Sequence, residues 1–118
     1  MKPISSFPEI FLHRESVDFR KQITGLAAIV EGDMQSAPLA GALFAFCSRD
    51  RRKIKLLYWD RTGFALWQKR LEKAKFPWPK KMQDAVIQLK PHEMEWLLDG
   101  IEFWRMKPHE TLNYACVS

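Results

Sequence analysis

Apolar positions recur along the chain in three rhythms, and each predicts a different kind of element. In "SVDFRKQITGLAAIVEGDM" the residues Phe19, Ile23, Leu26 and Val30 follow one another at offsets of four, three and four. That spacing lines one stripe of a 3.6-residue period and predicts an amphipathic helix near 17–31. Ser16 stands where a cap belongs, and Asp18 lies in the first turn, where a negative charge meets the positive end of the helix dipole. Gly25 weakens the middle of the pattern. A second stripe, Met94, Leu97, Leu98 and Ile101, begins just after Pro91, which suits a first helical turn, and contains Gly100 as a terminator. It predicts a helix over 91–100.

Short apolar runs bounded by turn residues form the second rhythm. "IFLHR" (10–14), "ALFAFC" (42–47) and "AVIQL" (85–89) are each too short for a helix and predict strands. Alternation is the third. The segments 53–59 and 64–70 flank "DRTG", whose Asp-first, Gly-last order predicts a type I turn joining a hairpin. "FPWP" (76–79) cannot lie inside a sheet, since Pro77 and Pro79 have no N–H to donate, and it is expected at an edge or as an extended crossing. From Lys107 the pattern stops, which predicts a loosely held tail over 107–118.

If Trp59 faces Phe64 across the turn, alternation sorts the hairpin into two surfaces. One carries Ile54, Leu56, Tyr58, Ala65 and Trp67 and is a core face. The other starts with Trp59, Leu57, Phe64 and Leu66 near the turn and changes to Lys53, Lys55, Gln68 and Arg70 further away. Two uses of this mixed face compete. Either helices cover it near the turn and the lysines point to water, or it docks a partner, with Lys and Arg on phosphates and an aromatic ring against bases. Trp78, between two prolines, either joins that surface or anchors packing.

Charge sharpens the picture when it is divided along the chain. The net +5 of the 118 residues comes from a segment, 49–81, that holds twelve Lys or Arg against three acids, a local +9 beside −4 elsewhere. Such asymmetry creates a directional field that attracts phosphates, although a solvated lysine face would have the same sum. An apolar content of 47% suits one hydrophobic core, hence a single domain over 1–118 with its core at about 10–104. No apolar run has the length of a membrane span, and the N-terminal stretch lacks a signal peptide's apolar region, so no membrane partner and a cytoplasmic location are expected.

Catalytic chemistry finds little support. His13, His92 and His109 have no partner at metal-ligand spacing, so no metal is expected and each reads as a surface residue. The five glycines are isolated, which excludes a phosphate loop, and neither a cofactor nor a small-molecule substrate is implied. Cys47, inside an apolar run, reads as a small core residue, and with Cys116 it makes no disulfide framework. Asp18, Asp60 and Asp84 can be picked out to imitate a two-metal nuclease, but among fourteen acids such a coincidence has no weight.

The order of "VDFRKQITGLAAIV", "GALFAF", "IKLLYWDRTGFALWQKRLEKAKFPWP", "IQL" and "WLLDGI" resembles the TnpB-type accessory protein, the second open reading frame, of the insertion sequence 66 family of bacterial mobile elements. The resemblance covers roughly residues 10 to 104 and is most specific from Ile54 to Pro79. It implies a small non-enzymatic protein encoded beside a separate transposase, with no catalytic residue to carry over. The chain departs from the family in "CSRDRRK", where a glycine-containing turn is usual, in Lys90, where Thr commonly precedes the helical proline, and in "APLAG".

Together these observations predict a small α+β domain, an antiparallel sheet built on a central β-hairpin and packed by two helices. The function expected is that of a non-catalytic accessory protein for DNA transposition, binding DNA, either element ends or non-specific duplex, through the basic, aromatic segment 49–81. Arg49, Arg51, Arg52, Lys53, Lys55, Lys69, Arg70, Lys73 and Lys75 are the expected phosphate contacts, with Trp59, Trp67 and Trp78 as candidates for base contact. The alternative is an adaptor that holds the element's transposase through the apolar part of the hairpin, without touching DNA.

Overall fold

The computed structural model describes residues 1–79 and 83–102. After a short 3₁₀ turn at Ile4–Ser6 come β1 (Ile10–His13), α1 (Ile23–Glu31), β2 (Leu43–Cys47), β3 (Lys53–Asp60), β4 (Gly63–Arg70), β5 (Val86–Leu89) and α2 (Pro91–Leu98). The strands form one five-stranded sheet in the order β4-β3-β2-β1-β5. All neighbours are antiparallel except β1 and β2, which run parallel because α1 crosses over between them. This is the predicted α+β class with one parallel pairing inside a mostly antiparallel sheet.

The central hairpin has the predicted register, Trp59 opposite Phe64 and Lys53 opposite Arg70. Its turn differs from the expected type. The loop is only Arg61 and Thr62; Arg61 has φ +53° and the Thr62 N–H donates to the Asp60 carbonyl. A two-residue connection must follow the right-handed twist of its strands, which a type I turn does not.

Both faces of the sheet are covered, which decides the fate of the hairpin's two surfaces. Ile54, Leu56, Tyr58, Ala65 and Trp67 share one core with Leu12, Cys47, Phe7, Phe76, Trp78 and the α2 residues Met94 and Leu97. Leu57, Phe64 and Leu66 share the other with Phe44, Phe46 and the α1 residues Leu26 and Val30. Leu26, Leu56, Leu57, Met94 and Leu97 are fully buried, each contributing about 1.5–3 kcal/mol of transfer free energy. Phe76 and Trp78 are buried on an extended crossing, as the prolines required.

Helix α1 begins at Ile23, later than its pattern predicts, and Ser16 does not cap it. The Asp18 carboxylate accepts from the Arg20 backbone N–H at 2.9 Å and from the Arg20 side chain, so residues 16–22 form a turn instead of a first helical turn. This is the local competition by which Asp opposes helix and favours turns. Helix α2 has Pro91 at its start, and the Glu93 carboxylate accepts from the Lys90 N–H at 2.9 Å, the half of a capping box that needs no Thr at position 90. Gly100, at φ +81°, ends it in a Schellman motif: Ile101 N–H donates to the Trp96 carbonyl and Gly100 N–H to that of Leu97. The expected tail lies outside the described residues.

Candidate nucleic-acid interface

Strand directions bring the C-terminal ends of β1, β2 and β4 and the start of β3 to one end of the sheet. The β2–β3 turn sits there and is held by its own side chains. Ser48 Oγ donates to Asp50 Oδ1 at 2.7 Å, the Arg52 N–H donates to the same oxygen at 3.0 Å, and Ser48 Oγ accepts from the Lys53 N–H at 3.1 Å. Ser48 and the Arg52 N–H hold the Asp50 carboxyl below its ordinary range. Arg51 adopts φ +65°, the conformation for which a glycine is usual in such a turn. The result is that the turn's one acid, although exposed, is engaged by hydrogen bonds within the turn, while Arg49 and Arg52 are exposed beside it.

The chain returns to this end after β4. Leu71 N–H donates to the Arg52 carbonyl at 2.9 Å and Phe76 N–H to that of Arg51 at 2.7 Å, which pins 71–76 beside the turn. Arg70, Lys73 and Lys75 are exposed here, and Arg70 pairs with Glu72 at 3.2 Å on the open surface. Lys53 is half-buried. Arg51 is also half-buried: its guanidinium lies against the Cys47 thiol, and its Nη1 is buried without an acceptor among the described residues. Thus Arg49, Arg51, Arg52, Lys53, Arg70, Lys73 and Lys75 are brought to one end.

Between this turn and residues 16–20 lies an open cleft of about 540 Å³ lined by Asp18, Arg20, Arg49, Asp50 and Lys53, with the Ser16 and Ser48 side chains. The Val17 N–H donates to the Cys47 carbonyl at 2.9 Å and fixes the wall. Asp18 is chelated by Arg20, which holds its carboxyl well below the usual range and raises the guanidinium in turn. Arg20 is a cation that sequence reasoning missed, because it lies outside the basic segment and reaches the cleft only through the β1–β2 crossover.

One predicted phosphate contact, Lys55, is not available, which corrects the sequence reading, and a second, Lys69, is partly engaged by the fold. Lys55 is only 2% exposed. Its ammonium donates to the Phe19 and Lys21 carbonyls at 3.0 and 2.8 Å and lies 4.7 Å from the centre of the Phe19 ring. Desolvation lowers its pKa. Lys69 donates to the Leu98 carbonyl at 2.9 Å, closing the C-terminal end of α2. Lys55 serves the fold, because a covered sheet face offers a cation no water, only carbonyls, and Lys69, half-buried on the edge strand, is engaged with the end of α2.

The tryptophans divide likewise. Trp78 is 4% exposed and its Nε1 donates to the His13 carbonyl at 3.0 Å; Trp67 packs against the α2-side core. Trp78 presents no ring for stacking, and Trp67 is half-covered by that core. Trp59 is half-exposed and meets Phe64 edge-to-face at 5.1 Å, but it stands at the hairpin tip. Six residues of strand, about 20 Å, separate it from Lys53, so the aromatic and basic halves of the face are two places. Arg61, exposed at the tip, is its nearest cation along the chain.

His13 is buried rather than on the surface, with Nδ1 2.8 Å from the Glu15 carbonyl and Nε2 3.4 Å from Asp33. Cys47 is buried as predicted, and burial pushes its thiol up to about 11. Among the described residues no group of three His, Cys, Asp or Glu is placed to hold a metal, and no helix is long and apolar enough to cross a membrane.

Comparison with known proteins adds what geometry alone leaves open. The model of a family described as "IS66 Orf2 like protein" matches residues 8–108. The chain belongs to the IS66 Orf2-like family. The IS66 Orf2-like chain is also similar to two uncharacterized proteins of Sinorhizobium fredii (strain NBRC 101917 / NGR234). It is 32% identical to y4jC over 98 residues, 83% of each chain. It is 32% identical to y4hO over 111 residues, 94% of each. No solved structure matches it. Membership of the IS66 Orf2-like family ties the chain to the transposition of an insertion sequence in an accessory role, and the family is not one of known enzymes.

Proposed function

We propose that this protein is a non-catalytic DNA-binding factor of its element, and that the basic end of the sheet is the binding surface. The observation that supports this reading is the concentration of Arg49, Arg52, Lys53, Arg70, Lys73 and Lys75 on two connections and the strand ends beside them, tied together by backbone hydrogen bonds, with Asp50 hydrogen-bonded within its own turn. Arg20 extends the surface along the cleft. Flexible cations on turns match phosphates, which carry charge but no base identity, so affinity here comes from counterion release with little sequence preference. The partner is duplex DNA, element ends included, bound in the cytoplasm.

The test is a gel-shift titration with a terminal element duplex and a scrambled duplex at two salt concentrations. With about six phosphates neutralised, affinity falls about a thousandfold or more between 50 and 200 mM salt, for both duplexes alike. A flat salt response, or no binding at low salt, refutes the reading. A second reading, in which the chain holds the element's transposase, draws on the half-exposed Trp59–Phe64 pair, remote from the cations. Trp59→Ala would then weaken transposase capture and leave DNA affinity unchanged.

A further inference from the structure

Among the described residues the two margins of the sheet are β4 and β5, and they are built differently. β5 has four residues and meets Pro91 soon after its end, a short margin of the kind that does not recruit another strand. β4 has eight residues, pairs with β3 without a bulge from Lys53↔Arg70 to Asp60↔Gly63, and contains no proline. At its centre Phe64, Ala65, Leu66 and Trp67 are consecutive apolar residues, each only half-buried. An edge that long, flat and apolar invites a further strand.

The backbone decides which strand fits. Leu71 N–H donates to the Arg52 carbonyl, so residue 71 points toward β3. Alternation turns the groups of Lys69, Trp67, Ala65 and Gly63 the same way and leaves those of Phe64, Leu66, Gln68 and Arg70 facing outward. A second β4, running antiparallel, bonds to this edge only where outward residues meet outward residues. Two registers do so over seven residues. One sets Trp67 against its own copy and Phe64 against Arg70. The other centres on Leu66, lays Trp67 opposite the small Ala65 of the second copy, and sets Lys69 opposite Gly63, where a Cβ would meet nothing within 4 Å.

We propose that β4 pairs with β4 of a second copy of this chain in the register centred on Leu66, forming one continuous sheet across a two-fold axis. Size complementarity selects this register, since large residues face small ones at the positions flanking the axis. Charge agrees with the antiparallel direction. Lys69 and Arg70 of each copy fall at opposite ends of the junction, next to the other copy's hairpin tip, which carries both Asp60 and Arg61, whereas a parallel pair would stack four cations together. The two Arg70 positions then stand eight residues apart, about 27 Å along the strands, so the dimer presents two basic ends related by the two-fold.

Light scattering coupled to gel filtration, over a range of concentrations, is the first measurement. A species of twice the 13.9 kDa chain mass is expected. Gln68→Pro is the informative variant: its N–H points outward and its side chain is exposed, so proline removes an edge donor without touching the β3 ladder. It should be monomeric with an unchanged circular dichroism spectrum. In the wild type, the amides of Phe64, Leu66 and Gln68 should be protected from exchange at high concentration and lose that protection on dilution, a readout that holds even if Gln68→Pro fails to fold. A monomer at every concentration, or a dimer that Gln68→Pro leaves intact, overturns the proposal. So does protection of those amides in a monomer, which would mean that another part of the chain covers the edge.

Discussion

Lys55 and the exposed cations make opposite demands on one pair of experiments. Replacing Lys55 with Met keeps most of the apolar stem and removes the ammonium. The Phe19 and Lys21 carbonyls then lose their donor. Each buried acceptor left without a partner costs roughly 1–3 kcal/mol. Relief from burying a charge offsets part of that, leaving a net loss of about 2–4 kcal/mol. For a domain of this size that lowers Tm by about 10 °C or more. Because Lys55 is only 2% exposed, DNA affinity and its salt slope, measured on folded protein, should not change. The fourfold reversal of Arg49, Arg52, Lys73 and Lys75 to Glu should do the reverse. It removes at least four phosphate contacts, lowering the salt slope by about 3–4, and leaves Tm nearly unchanged since exposed charges contribute little. Urea unfolding and salt-dependent anisotropy on both variants measure the four quantities. If Lys55→Met keeps wild-type stability and loses DNA affinity, the lysine is a phosphate ligand and the burial argument fails.

Leu26→Ala and Leu97→Ala should each cost about 2–5 kcal/mol in urea unfolding, and because they lie in cores on opposite sides of the sheet their effects should add in the double variant. Arg61→Gly should raise the unfolding free energy measured in urea by up to about 1 kcal/mol, since glycine relieves a left-handed backbone at slightly greater unfolded-state entropy; a loss of stability would show that Arg61 is not left-handed. Cys47 gives a pH dependence. Its folded pKa of about 11 lies above the ordinary 9.0, so its contribution is fully present below pH 9 and is lost as pH rises through 11, up to about 2–3 kcal/mol. The stability difference between wild type and Cys47→Ala should therefore shift in the variant's favour over that window.

Local features of the fold were legible in the sequence and non-local ones were not. The hairpin register follows from alternation on either side of one loop, and Trp59 does face Phe64. The end of α2 follows from Gly100, since only a residue at ease with positive φ continues the chain there. The start of α1 was misplaced because Asp18, suited to a helical first turn, is as well suited to chelating Arg20 two residues on. Charge counting found the basic segment but could not sort it. Whether a lysine on a strand meets water or a carbonyl depends on what covers that face, and the segment covering Lys55 is 34–36 residues away in sequence. Arg20 was invisible for the same reason, its place depending on the β1–β2 crossover.

That sorting also explains how aromatic and basic residues share one stretch. In a sheet with both faces covered, a side chain in the middle of an inner strand has no route to solvent, and one on the edge strand β4 is half-covered along most of its length. Trp67 therefore packs, Lys69 reaches the end of α2, and Lys55 reaches two carbonyls of the covering segment. Only where strands end can a charged head group extend freely, and there Arg49, Arg52, Arg70, Lys73 and Lys75 are exposed. Turns impose one further limit. Their side chains project on flexible stems from backbone that is not aligned with a groove, which suits contact with phosphates and not the fixed, bidentate geometry that reads base edges. A surface of this kind follows the density of negative charge, so on the proposed DNA-binding reading a choice of DNA sequence would come from another component or, in the proposed dimer, from the spacing of two such ends.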